Sequence, residues 1–210
     1  MFGKRRLKIF CIGRHKTGTT SLGAALGAAG FHVACQNPAE NLAEDWARRD
    51  FRRIVQFCKT ADAFQDVPFS MAYTYQVLDY AFPRSRFILT VRDSSEQWFE
   101  SLMRYHAKVV GKDRVPTVED LKDHPYVYKG WMWRQQEIVF GADEYSLYNR
   151  EKYIAHYEKH NADVLEYFRF RPDDLLVLNL ADADAGRKLE RFLALPTEAI
   201  YIPHLNTSAD

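Results

Sequence analysis

The junction from Leu7 to Ser21 constrains this chain more than any other segment. Leu7-Lys8-Ile9-Phe10-Cys11-Ile12 is a short β-prone apolar run ending at Gly13, and it predicts a buried strand. A polar loop, Arg14 to Gly18, follows. Leu22, Ala25, Leu26 and Ala29 then recur at helical spacing, with Gly30 placed to end the helix. Such a strand–loop–helix junction exposes unpaired backbone N–H groups, and the helix dipole adds partial positive charge. Gly18 lets the backbone pass close to a ligand, while Thr19, Thr20 and Ser21 add hydroxyl donors and Lys16 a full charge. The run Gly13-Arg14-His15-Lys16-Thr17-Gly18-Thr19-Thr20-Ser21 therefore predicts a phosphate cradle. The plainer alternative is a capped helix after an ordinary turn.

Further along, Phe31 to Ala34 predicts a second strand, and Asn41 to Lys59 is charged and helix-prone around Trp46, Ile54 and Phe57. Ala61 to Pro68 predicts a weak strand ended by its proline, and Ser70 to Tyr80 a helix. Arg86 to Val91 is the clearest interior strand. Ser94 with Gln97 forms a capping-box pattern, opening a helix with Trp98, Leu102 and Tyr105 on one face. Gly111 to Pro125 reads as a polar loop and Tyr126 to Phe140 as an aromatic-rich stretch. Asn149 to Phe168 predicts a helix with a stripe of Ile154, Tyr157, Val164 and Phe168. Leu175 to Leu178 predicts a last interior strand, and Leu189, Phe192 and Leu193 a closing helix. Apolar strands alternating with helices indicate an α/β three-layer sandwich with a central parallel sheet, which binds ligands at the carboxyl ends of its strands.

The 210 residues, 47% hydrophobic and 27% charged, suit one globular domain spanning the whole chain. A net charge of +1 argues against nucleic acid or an anionic membrane as partner, so an anion site must be local. The basic Lys4-Arg5-Arg6 run reads as a solvated segment. No apolar run reaches membrane-spanning length. Cys11, Cys35 and Cys58 are odd in number and widely spaced, which predicts reduced thiols and a cytoplasmic protein.

A second motif, Phe87-Ile88-Leu89-Thr90-Val91-Arg92-Asp93, ends a strand in arginine ahead of the serine-bearing segment 94–101. Arginine there suits a second phosphate. The first motif departs from the nucleotide-triphosphatase loop, because Lys16 precedes Gly18 by two residues instead of following it. The run Lys16-Thr17-Gly18-Thr19-Thr20-Ser21 resembles the 5'-phosphosulfate loop of the sulfotransferases that use 3'-phosphoadenosine 5'-phosphosulfate (PAPS). The second motif resembles their 3'-phosphate motif, whose serine commonly stands eight residues after the arginine. Here that position is Glu100, and Ser101 stands at nine. Phe170-Arg171-Pro172-Asp173-Asp174-Leu175-Leu176 and the closing Pro203-His204-Leu205-Asn206 are similar to bacterial members of the family.

The resemblance implies the sulfotransferase version of the P-loop-like topology, PAPS as co-substrate, no required metal, and transfer to an acceptor hydroxyl (glycan or small metabolite) or amine. It implies that Lys16 neutralises the bridging oxygen. Arg14, His15 and the loop from Thr17 to Ser21 surround the 5'-phosphosulfate, and Arg92 and Ser101 take the 3'-phosphate. Asp66, before Val67-Pro68, stands where cytosolic relatives place a catalytic histidine, and is the candidate general base; a turn or cap role is the alternative. His106 is a further candidate on the acceptor side, and His204 for closing over the nucleotide. Tyr126, Tyr128, Trp131 and Trp133 are candidates for an acceptor pocket or for core. A P-loop kinase or NTPase, and a non-catalytic nucleotide-binding protein, are the competing readings.

Overall fold

The computed structural model describes residues 7–195 and 200–203. Strands β1 (Ile9–Cys11), β2 (Ala63–Gln65), β3 (Arg86–Val91) and β4 (Leu175–Asn179) form a parallel sheet in the order β2-β1-β3-β4. The helices are α1 (Thr19–Ala28), α2 (Gln36–Glu40), α3 (Ala43–Ala47), α4 (Arg52–Phe57), α5 (Thr74–Ala81), α6 (Ser95–Val110), α7 (Val118–Asp123), α8 (Trp131–Phe140), α9 (Arg150–Phe168) and α10 (Ala185–Leu193).

Side chains alternate across a strand, and here both faces are covered. Phe10, Ile12, Phe64, Phe87 and Leu89 enter one hydrophobic layer, with Tyr75, Leu78, Met132, Val164 and Phe168 from the helices. Ile9, Cys11, Ala63 and Ile88 enter the other, against Leu22 and Leu26 of α1 and Leu189 and Leu193 of α10. Phe10, flanked in register by Phe64 and Phe87, is fully buried, and each such side chain stabilises the fold by about 1.5–3 kcal/mol. The result is the expected three-layer α/β sandwich. After β1 the chain continues to β2 on one side, and after β3 to β4 on the other. The carboxyl ends of β1 and β3 thus flank a topological switch point, where such sheets open a crevice.

Several local expectations are corrected. Phe31 to Ala34 makes a single parallel bridge, Val33 to Ala63, before the chain turns into α2, so it is no strand. The 41–59 segment splits into α3 and α4, because Arg49 takes a left-handed backbone (φ 59°) and Asp50 accepts from the Arg52 amide. The helix expected from Ser70 starts at Thr74, after a turn in which Met71 N–H donates to Pro68 O. The polar 111–125 stretch contains α7, opened by a reciprocal cap between Thr117 and Asp120. In α6, His106 is buried alongside Trp98 and Leu102 in place of Tyr105. In α9, Tyr153 and His160 join Tyr157, Val164 and Phe168, and Ile154 lies off the stripe. The last strand, β4, is an edge, and Val177 is 43% exposed. The three cysteines are free thiols.

Candidate active site

The loop after β1 leans directly on β3. A Cβ on Gly13 would lie 2.1 Å from Thr90 Oγ1 and 2.4 Å from Thr90 O, so only glycine passes there. The Thr17 hydroxyl donates to Arg14 O at 2.5 Å and meets Thr90 Oγ1 at 2.5 Å. The loop is also held from above and below. Arg92 Nε donates to Lys16 O at 2.7 Å, and Trp98 Nε1 donates to His15 O at 2.9 Å. Trp98 in turn stacks on Tyr157 at 4.6 Å. Lys16 (φ 67°) and Gly18 (φ 95°) take left-handed backbone, which costs a lysine about 1–3 kcal/mol and persists only where the surroundings hold it. Helix α1 starts immediately after, at Thr19.

These groups open onto a cavity of about 330 Å³. Arg14, His15, Lys16, Gly18, Thr19, Thr20, Asp66 and Arg92 all line it. The structure thus brings together most of the residues expected from the sequence, taken from β1, β2 and β3 ends. Thr17 and Ser21 are buried behind the wall, and the Thr17 hydroxyl is committed to the loop itself. Ser101 lies on α6 one turn before Tyr105, outside the lining.

The cavity carries three cations. Arg14 is 2% exposed; its Nη1 donates to Ser70 O at 3.0 Å and its Nη2 lies 2.9 Å from His156 Nδ1, while its Nε has no partner. Burial lowers its pKa to about 9, and lowers that of Lys16 to about 8. Burial also lowers Arg92. None of the three forms an ion pair among the described residues. A buried guanidinium without a carboxylate partner is unfavourable unless an anion answers it.

Asp66 follows β2 with φ 61°; its Oδ2 accepts from Thr19 Oγ1 at 3.0 Å and its Oδ1 from the Val67 amide at 2.9 Å. Burial raises its pKa, opposed by those hydrogen bonds and the Lys16 charge. His15 lies against Trp98 and Phe140, and burial holds its imidazole neutral. His106 also lines the cavity; it hydrogen-bonds Tyr148 Oη at 2.7 Å, and burial lowers its pKa to about 3. Of the aromatic cluster, Tyr126 and Trp131 line the cavity, Trp133 belongs to the core, and Tyr128 is exposed. His204 lies outside the described residues.

Sequence reasoning missed Glu40, Ser70, Tyr105 and Gln135, all of which line the cavity. Lys16 Nζ sits 3.8 Å over the Tyr105 ring, whose hydroxyl lies 3.4 Å from that of Tyr126. Tyr126 Oη donates to Glu40 Oε1 at 3.4 Å. Of these, only Tyr105 is marked in the sequence, by the helix face it shares with Trp98 and Leu102.

No described helix is long and apolar enough to cross a membrane, and no described group of three His, Cys, Asp or Glu is arranged to hold a metal ion. No curated protein matches the chain. Residues 8–210 match the model of the family described as "Sulfotransferase domain", which takes in both strand-end motifs and the cavity between them, and the chain belongs to that family.

Proposed function

We propose that this protein transfers the sulfuryl group of PAPS to an acceptor hydroxyl or amine, releasing adenosine 3',5'-bisphosphate (PAP). Sulfuryl transfer in general follows from the family. The observation that carries the donor assignment is the convergence of Arg14, Lys16 and Arg92 on one cavity, with no ion pair to any of them among the described residues and Arg14 Nε left without a partner. A donor with two phosphate positions and one sulfuryl group supplies negative charge to each. The backbone of 17–20 holds the 5'-phosphate at the start of α1, and Arg92, with Ser101 on the next helix, selects the 3'-phosphate.

When bound, PAPS supplies an activated sulfuryl group. Asp66 accepts the proton of the acceptor O–H or N–H as the new bond to sulfur forms. Lys16 neutralises charge developing on the bridging oxygen as the bond from sulfur to that oxygen breaks. Thr19 fixes the Asp66 carboxylate by its hydrogen bond, so the base is oriented in advance. A cytoplasmic location belongs to the same reading, supported by the three free thiols.

Calorimetric titration with PAP, without metal, tests the assignment. Wild type binds PAP well above ATP. Lys16→Ala and Arg92→Ala each weaken PAP at least about tenfold, since a charge-assisted phosphate contact contributes about 1.5–3 kcal/mol. Better binding of ATP with magnesium would put a kinase or NTPase in its place. PAP binding with no release of PAP from PAPS under any acceptor would make the protein a non-catalytic nucleotide binder. Turnover should also fall above about pH 8 as Lys16 loses its proton, and Lys16→Arg should remove that alkaline limb.

A further inference from the structure

The cavity extends past Lys16 along the hydroxyls of Tyr105 and Tyr126 to Glu40. Glu40 is 8% exposed and forms no ion pair among the described residues; the tyrosine contact at 3.4 Å is long, and the Gln36 side chain also hydrogen-bonds the carboxyl. Gln135, on α8, lines the same cavity. It is 6% exposed, and neither atom of its amide has a hydrogen-bond partner. Folded proteins rarely leave a whole amide buried and unanswered, and the cost of doing so is spared only when something else supplies the partners.

We infer that Glu40 and Gln135 form an acceptor subsite that reads a pair of neighbouring hydroxyl groups, so that the acceptor is a neutral polyol. This deepens the function proposed above, since it concerns the acceptor end of the same cavity. The chemistry discriminates among acceptor classes. An ammonium group only donates, so it would suit Glu40 but leave the Gln135 Nε2 donors unanswered. A carboxylate only accepts, so it would answer Nε2 but face two buried carboxyl groups, Glu40 and Asp66. A hydroxyl both donates and accepts, and two neighbouring ones can satisfy a carboxyl and an amide together. The Trp131 ring, also in the lining, offers an apolar face for the C–H side of such a molecule. Burial, and then the charge of Asp66, raise the Glu40 pKa to about 7, so a neutral donor suits it in either protonation state.

Ligand-observed NMR titration of the free protein with four compounds on one carbon frame tests this. The probes are cis-1,2-cyclohexanediol, cyclohexanol, cyclohexylamine and cyclohexanecarboxylate. The diol should bind at least about fivefold more tightly than each of the others, a preference that Glu40→Gln and Gln135→Leu should each abolish. Gln135→Leu should also leave the melting temperature unchanged or raise it, because an unpartnered amide contributes nothing to the fold. Tighter binding of the amine or the acid overturns the inference, as does a diol that binds no better than cyclohexanol. A fall of several degrees in the melting temperature of Gln135→Leu also overturns it, because the amide would then have a structural partner. PAP titration of the same preparations keeps the two readings apart. Normal PAP binding without diol preference removes the subsite alone, and diol preference without PAP binding removes the donor assignment alone.

Discussion

The two ends of the cavity are built in opposite ways. At the donor end nearly every loop group is tied down: Thr17 on Thr90, Lys16 O on Arg92, His15 O on Trp98, and Arg14 on Ser70 O. At the proposed acceptor end His106 is held by Tyr148 at 2.7 Å, but the contacts along Tyr105, Tyr126 and Glu40 are long, 3.4 Å each, and the Gln135 amide has no hydrogen-bond partner. A braced loop presents its N–H groups in fixed directions, which suits one invariant nucleotide. A wall with unanswered groups keeps its hydrogen bonds for whatever enters.

Gly13→Ala would break the bracing outright. The new methyl must displace Thr90 backbone and side chain from about 2–2.5 Å, and should cost at least about 3 kcal/mol in urea unfolding. Gly111→Ala, at positive φ (69°) but facing open space, should cost only about 1 kcal/mol. A similar loss in both would mean that the loop does not rest on β3.

Acid sharpens the contrast. His15, His106, His156 and His160 are all buried neutral, so the unfolded chain binds more protons than the folded one between the ordinary histidine pKa near 6.5 and the lowered values, about 3 for His106 and His156. Their contribution is complete above about pH 6.5 and lost as pH falls toward 3. Glu40 and Asp66 have raised pKa values and act in the opposite direction, gaining stability as pH drops through about 7 for Glu40. Four histidines against two carboxyls predict a net fall in melting temperature from pH 7.5 to 5. A flat profile would show that the histidines are not neutral in the fold.

Trp98→Phe keeps the ring stack on Tyr157 but removes the donor to His15 O, and should cost about 1–2 kcal/mol in stability. It should also weaken PAP binding measured by calorimetry. Tyr126→Phe deletes two 3.4 Å contacts and should change stability by less than about 0.5 kcal/mol. A larger loss would mean the acceptor wall is braced as firmly as the donor loop.

The same contrast explains what could be read from the sequence. The donor loop is contiguous, so strand, glycines, lysine and helix start stand in order from Ile9 to Ala28, and the Arg86–Val91 strand is visible from its apolar run. The acceptor wall draws on α2, on α6 and on the stretch from Tyr126 into α8, three parts separated by long stretches of chain. Nothing in the local pattern of Glu40 or Gln135 marks them, because their significance is an absent partner, and absence has no sequence signature. The missed α7 is different. Its Thr117–Asp120 cap was legible, but the surrounding charge and the prolines at 116 and 125 resembled a loop.

The bond from Arg92 to the carbonyl of Lys16 joins residues 76 positions apart in the chain. The lysine's left-handed backbone is tied to an arginine just past the end of β3, so neither motif can drift alone. A substitution that repositions the Arg92 guanidinium also releases the loop carbonyl, so the two motifs act as one mechanical unit. Substitutions in the two motifs should therefore have non-additive effects on nucleotide binding.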